Sequence, residues 1–393
     1  MNSPVYLDHA ATTPVDRRVA AAMADCLTAD GVFGNPASAG HFHGETALER
    51  VEAARAAIAA AVGADPEEVV FTSGATEADN LAIFGVAEHA RPRGRHLVTA
   101  RTEHKAVLDP CRVLERRGWQ VTYLTPDERG LIAPDRLESA LRADTVLVSL
   151  MHVNNEIGTV QDVAAYAAVC ERHGGARLHV DAAQSVGKAA FDFRASGADL
   201  VSLSAHKSYG PKGVGALLMS RRRGVRIEPR QFGGGQERGL RSGTVATHQV
   251  VGMAAAFELA VAERSAETVR LAALRERLWR GLDALGGAVR NGAPEDTVPA
   301  ILSVSFAGVE GESLLAAVAP RISVSTGSAC TSASGEPSYV LRALGRDERL
   351  AEASLRFGLG RATSVEEIEE AIAAVGAALA RLRRIGGECA TAR

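Results

Sequence analysis

Aromatic side chains are scarce: ten Phe, five Tyr and two Trp make up 4% of the 393 residues. The apolar share is still 46%, so any core has to be filled by aliphatic side chains and alanine. No apolar run reaches the ~18 residues that cross a bilayer, which excludes a transmembrane helix from the expectations. The first residues, MNSPVYLDHAATTP, have no basic n-region and no apolar h-region, so no secretory signal is expected. Cysteine is thinly spread. Cys26, Cys111, Cys170, Cys330 and Cys389 are odd in number and contain no CxxC pair, which argues against a disulfide framework and for a reducing, cytoplasmic setting. No metal site is expected either. The formal net charge is −3, and no basic stripe suggests a nucleic-acid interface. The one basic run, Arg221-Arg222-Arg223, reads as a solvated turn after a strand.

What is present is alternation. From about residue 45 to 255, helical stretches alternate with short apolar runs. ETALERVEAARAAIAAAVG reads as an Ala-rich helix ending at Gly63. EVVFTSG, RHLVTA, TVLVSLM, RLHVDAA, ADLVSLSA and GVGALLM read as buried strands. This pattern predicts an α/β fold with a largely parallel sheet covered on both faces. After residue 262 the pattern changes to a charged helix at about 262–285, the run ILSVSFAGV, a helix near 311–319, RISVS, SLRFGLG and a last helix. Ser364 and Glu367 form a capping box for that last helix. This second part reads as a smaller α+β domain. The expected division is a large domain over 16–262 and a small one over 1–15 and 263–393.

Ligands of such sheets bind beyond the C-terminal strand ends, and polar residues gather there. Ser73-Gly74-Ala75-Thr76-Glu77 follows VVFT and opens a helix, which suits an anion or ordinary N-capping. Glu103-His104-Lys105 and Asn154-Asn155-Glu156 follow the next two runs, as caps or as ligand contacts. Asp181 closes RLHVD; it is either an N-cap or an acid paired with a cationic ring nitrogen. Lys207 directly follows ADLVSLSAH, where desolvation makes an amine a usable nucleophile. FGGGQERGLRSGT is glycine-rich enough to let backbone approach an anion. An anion site, a deprotonatable lysine and an acid at successive strand ends together match the needs of pyridoxal phosphate.

The chain resembles the cysteine desulfurases of the class V aminotransferase group, in the subgroup serving iron–sulfur cluster assembly and nitrogenase maturation. The motifs that carry the resemblance include YLDHAATTP, FTSGATEADNLAIFG, TEHKAVLDPC, HVNNEIGTVQ, HVDAAQSVGK, SLSAHKSYGPKGVGAL, GGGQERGLRSGT, TGSACTSAS and SLRFGLGR. They span nearly the whole chain. The resemblance implies pyridoxal-phosphate fold type I. It implies that Lys207 is the Schiff-base lysine and the base for the substrate α-proton. Asp181 then pairs with the pyridine nitrogen, Gln184 bonds the ring hydroxyl oxygen, and His104 stacks on the ring and shuttles a proton. Ala75, Thr76, Ser204 and His206 hold the phosphate. Thr244 reaches the phosphate of a neighbouring subunit, which requires a homodimer. Asn155 and Arg356 bind the carboxylate of the L-cysteine substrate, with Asn35 near the same end.

Cys330 lies in STGSACTSAS, among hydroxyls and small residues that cannot build a core around it. The resemblance implies that its thiolate takes sulfur from the substrate as a persulfide, leaving alanine, and carries it to an acceptor protein. The other four cysteines are expected to be structural or incidental. The chain ends soon after its last helix, with RLRRIGGECATAR, whereas members dedicated to general cluster assembly often carry a longer tail that docks the scaffold protein. The acceptor is therefore open: an iron–sulfur scaffold, transfer RNA thiolation, a cofactor pathway or DNA sulfur modification. Transamination and selenocysteine cleavage are competing reactions that do not need the GSACTSAS tract. A non-catalytic scaffold would lack Lys207 or Cys330, and both are here.

Overall fold

Seven strands form the central sheet of the computed structural model, which describes residues 3–327 and 337–391, with side chains to residue 385. In spatial order they are Val69–Thr72, Gly215–Met219, Leu200–Ser204, Arg177–Asp181, Thr145–Met151, His96–Ala100 and Gln120–Leu124. The last five run parallel. Gly215–Met219 is antiparallel to both its neighbours. Every residue of Thr145–Met151 is buried, as both-face coverage demands, and this is why the strand reads as one continuous apolar run rather than as an alternation. Gln120–Leu124 is not among the strands expected from the sequence. It lies at the sheet edge with only Leu124 fully buried, so its apolar signal is weak.

Helices cover both faces. Phe42–Val62 packs with the first half of Thr247–Asp283 on one side, through Val51, Ile58, Met253 and Phe257. It ends at Gly63, whose left-handed φ of 71° closes the helix. Ala75–Ala90 and Lys105–Arg116 cover the other side. A second, three-stranded antiparallel sheet, in the order Ser354–Gly358, Ile301–Phe306, Ala288–Asn291, packs with the C-terminal helix on a separate core. The expected capping box opens that helix: Ser364 N donates to Glu367 Oε2 at 3.0 Å, and Glu367 N donates to Ser364 Oγ at 3.2 Å.

The charged helix expected at about 262–285 is the second half of one continuous helix, Thr247–Asp283. Its buried side chains change partners along its length. Val250, Met253, Phe257 and Ala260 belong to the central core, and Leu271, Leu274, Leu278 and Leu282 to the second. The shift in composition marks a change of neighbour, not a chain break.

One buried ion pair ties the glycine-rich loop to the sheet. Arg55 Nη1 and Nη2 meet the two oxygens of Glu237 at 2.8 Å each, and Glu237 Oε2 also accepts from Phe71 N at 2.8 Å. Glu237 holds this place with a left-handed φ of 48°. Removing one partner would leave a buried charge unmatched. Glu237→Gln is therefore expected to lower stability by about 3 kcal/mol in chemical denaturation, and Arg55→Met with Glu237→Leu to recover most of it. A loss below about 1 kcal/mol in the single variant would show the pair to be incidental.

Candidate active site

A cleft of about 420 Å³ opens at the C-terminal ends of the parallel strands. Ala75, Thr76, His104, Asn155, Asp181, Ser204, His206, Lys207 and Arg356 all line it. Asn35, Gln184 and Thr244 do not.

At one end the Val69–Thr72 strand turns through Ser73 and Gly74 into the Ala75–Ala90 helix. Gly74 is the N-cap, at φ 150°, and no side chain caps the helix there. The first helical N–H groups thus face the cleft without a side-chain acceptor, a ready anion site. Gly215 supports this turn from behind: a Cβ there would come within 2.7 Å of Gly74 Cα. Beside it the buried Ser204 Oγ has no hydrogen-bond partner among the described residues. His206 Nδ1 meets Thr12 Oγ1 at 3.1 Å. Burial, followed by the charges of Lys207, Lys212 and Lys188, lowers His206 to about 4, so it is a neutral donor. Arg241, which the sequence places in a possible anion loop, is already paired with Glu77 at 2.7 Å.

Asp181 closes its strand at the floor of the cleft. Its Oδ1 accepts from Ala183 N at 2.9 Å, which leaves Oδ2 for a ligand. Asp79, on the buried face of the Ala75–Ala90 helix, lines the same floor. Burial first, then the charge of Asp181, pushes Asp79 well up, so it keeps its proton. His179 Nε2 stands 3.5 Å from Asp79 Oδ1, and burial lowers His179 to about 4. His104 is both a cap and a cleft residue. Its Nδ1 accepts from Ala106 N at 3.1 Å, so the ring proton sits on Nε2. Burial, then Lys207, holds His104 below its ordinary value.

At the opposite end Arg356 is 2% exposed. Its Nη2 donates to Asp8 Oδ1 at 2.7 Å and Ser325 Oγ at 3.1 Å, and its Nη1 donates to Asn155 O at 2.9 Å. Its Nε has no partner among the described residues, and a carboxylate would supply one. Gln184 is placed behind this wall. Its Nε2 donates to Ala10 O at 2.7 Å and its Oε1 accepts from Lys188 Nζ. Asn35 and Thr244 line a second cavity of about 380 Å³ with Gly234, Gly235 and Arg55. Cys330 lies outside the described residues. The residues on either side of its segment are anchored: Ser325 pairs through its backbone with the cleft residue Arg356, and Ser338 Oγ donates to Glu156 Oε2 at 2.5 Å.

The donor set fits pyridoxal phosphate. The uncapped helix end and the orphaned Ser204 hydroxyl suit a phosphate, Asp181 suits a protonated ring nitrogen, and Lys207 lines the same cleft. Sequence reasoning missed Asp79, Asp8, Thr12 and Lys212. Asp79 had a signal, since a carboxylate in ATEADNLAIFG falls on an otherwise apolar helix face. The partnership of Asp8 with Arg356 had none, being a contact across 348 residues. No group of His, Cys, Asp and Glu among the described residues could hold a metal ion, and no described helix is long and apolar enough to cross a membrane.

Residues 5–371 match the aminotransferase class-V family model. The cysteine desulfurase IscS of Proteus mirabilis is 56% identical over 383 residues, covering 98% of this chain and 94% of that protein. A solved NifS-like protein superposes with a TM-score of 0.89 at 38% identity, over 96% of this chain and 100% of that one. The structure titled SspA in complex with cysteine gives a TM-score of 0.79 at 37% identity, over 90% and 98%. Family model, relatives and fold agree, and the chain belongs to the class V aminotransferases as a cysteine desulfurase of the iron–sulfur-assembly type.

Proposed function

We propose that the cleft removes sulfur from L-cysteine with pyridoxal phosphate and passes it to Cys330. The observation that carries this reading is the convergence of Lys207, Asp181, an uncapped helix end and Arg356 on one cleft. When bound, the cofactor supplies an electron sink for the carbanion formed at the substrate Cα. Ala75, Thr76, Ser204 and His206 would hold its phosphate, Asp181 would keep the ring nitrogen protonated, Gln184 would donate to the ring oxygen, and His104 would stack on the ring. Arg356 and Asn155 orient the substrate carboxylate, and Lys207 Nζ takes the α-proton. The Cys330 thiolate then attacks the substrate sulfur. A sulfur–sulfur bond forms as the carbon–sulfur bond breaks, the electron pair stays with Cβ and takes up the proton given up by the substrate thiol, Lys207 Nζ returns the α-proton to Cα, and alanine leaves with its sulfur held as a persulfide on Cys330.

The other described cysteines are poor candidates for this step. Cys26, Cys111 and Cys170 are buried. Burial raises all three thiols, Cys170 to about 12, and a thiol that keeps its proton is a weak nucleophile. Cys330 sits in a polar tract of the sequence, three residues beyond Gly327. The position of Thr244 on a different cavity supports the homodimer reading, in which it completes the partner's phosphate site. The acceptor is a sulfur-carrying protein such as an iron–sulfur scaffold, and the compartment is the cytoplasm.

Cys330→Ser is expected to bind cofactor normally and to release no alanine. Mass spectrometry after incubation with L-cysteine should find one added sulfur on the wild-type Cys330 peptide, lost on reduction. Added sulfur on Cys26, Cys111, Cys170 or Cys389 with Cys330 unmodified would refute the assignment.

His104 loses its function by gaining a proton, and its folded-state value lies below 6.5. Activity that depends on neutral His104 is therefore full above pH 6.5 and falls below it. His104→Gln should lower kcat by about 10²-fold and flatten that acid limb. An unchanged pH profile in the variant would remove His104 from proton transfer.

A further inference from the structure

Lys188 lies in the turn that follows Asp181 and Gln184. Its Nζ meets Gln184 Oε1 in a short hydrogen bond, while Gln184 Nε2 donates to Ala10 O at 2.7 Å. These partners leave the carboxamide a single orientation. A lysine head group brings N–H donors, so it faces the amide oxygen. A backbone carbonyl only accepts, so it faces the amide nitrogen. Reversing the amide would set two acceptors together at Ala10 and two donors together at Lys188. Gln184 is 2% exposed, and a buried mismatch of that kind is costly. What Gln184 has left for a ligand is one N–H of Nε2. Ala10 and Ala183, on either side of it, both line the cleft.

We propose that Lys188 is a positioning residue, which fixes the Gln184 carboxamide so that its remaining N–H, and not its oxygen, is turned toward the ring oxygen of the cofactor. The proposal rests on the pyridoxal-phosphate reading above. That ring oxygen is an acceptor when ionised, so the amide orientation decides between a hydrogen bond and a clash of lone pairs. Lys188 holds its place against its surroundings. Burial, then the charges of Lys207 and Arg356, lowers it to about 7, and Lys188 in turn helps lower the buried His9 to about 4. An amine kept beside two other cations at a cost to its own charge is the kind of group that functional sites retain.

The test compares pyridoxal phosphate binding to the apoproteins of four chains, with the pH midpoint of the bound cofactor's visible band as a second readout. Lys188→Met should weaken binding about five- to tenfold, the equivalent of one lost hydrogen bond, and should raise the midpoint, because the ring oxygen loses its donor. Gln184→Leu should weaken binding to a similar degree. Adding Lys188→Met to Gln184→Leu should weaken it no further, since the lysine acts through the amide. Lys188→Leu serves in the same comparisons should the methionine chain not fold. Unaltered affinity and midpoint in Lys188→Met would overturn the proposal. So would a full further loss in the double variant, which would mean that the lysine acts by charge alone. Unaltered binding in Gln184→Leu would instead remove the reading of Gln184 as a ring contact, on which the proposal stands.

Discussion

Tyr209, two residues after Lys207, has a left-handed backbone at φ 64°, a conformation that a bulky L-residue adopts only under compulsion. The compulsion comes from the N-terminal segment. Thr13 N and Thr13 Oγ1 donate to His206 O at 2.9 and 2.8 Å, Tyr209 N donates to Thr13 Oγ1 at 2.8 Å, and Asp16 N donates to Tyr209 O at 3.0 Å. The Arg361 guanidinium lies 4.3 Å from the Tyr209 ring centroid, and Arg361 itself is held by Asp16, Glu263 and Glu267. The turn that presents the reactive amine is thus shaped from outside its own sequence. Within SAHKSYG, Ser208 N and Gly210 N donate to Ala205 O at 3.0 and 3.1 Å, and residues 13–16 add the bonds that hold Tyr209 itself.

The electrostatics of the cleft follow from where charge can be kept. Lys207, Lys212 and Arg356 gather on its walls, and burial, then the charge of Lys207, lowers both His104 and His206. Of the two floor acids, Asp79 takes up a proton and so spares the site a pair of adjacent negative charges. The outcome is a cleft with neutral rings, a cationic rim and Asp181 as the acid placed for a ring nitrogen. Such a surface suits a dianionic, aromatic ligand and a small zwitterion better than an apolar one.

Much of this was legible in the sequence because parallel strands end where chemistry begins, and Asp181, His104 and Lys207 each stand directly after an apolar run. Capping and chemistry looked like alternatives for His104 and Asp181. They are not, since each uses one atom for the turn and keeps another for the cleft. The opacity of the rest has physical causes. Gln120–Leu124 is an edge strand whose half-buried pattern resembles a turn. The Thr247–Asp283 helix changes core midway, so its composition shifts within one continuous helix. Gln184 stands beside Asp181 in the sequence, but its partners Ala10 and Lys188 are a matter of tertiary placement. The separation of Thr244 and Asn35 from Lys207 is likewise a matter of tertiary placement.

The N-terminal segment that shapes the lysine turn is tied down at its far end by residues made very late. Leu7 N donates to Ser323 O at 2.9 Å, Gly358 N donates to Leu7 O at 2.7 Å, and Asp8 awaits Arg356. On the ribosome, roughly 150 residues separate Lys207 from Arg356, on the order of 10–30 s of synthesis. Through that interval a nascent chain has Lys207 and the uncapped helix end but lacks Arg356, which closes the other end of the cleft. Pairing Val5–Tyr6 with Ile322–Ser323, and Asp8 with Arg356, makes synthesis of residues 322–356 a condition for closing the cleft, so the lysine turn and the far wall of the cleft are completed by one late event.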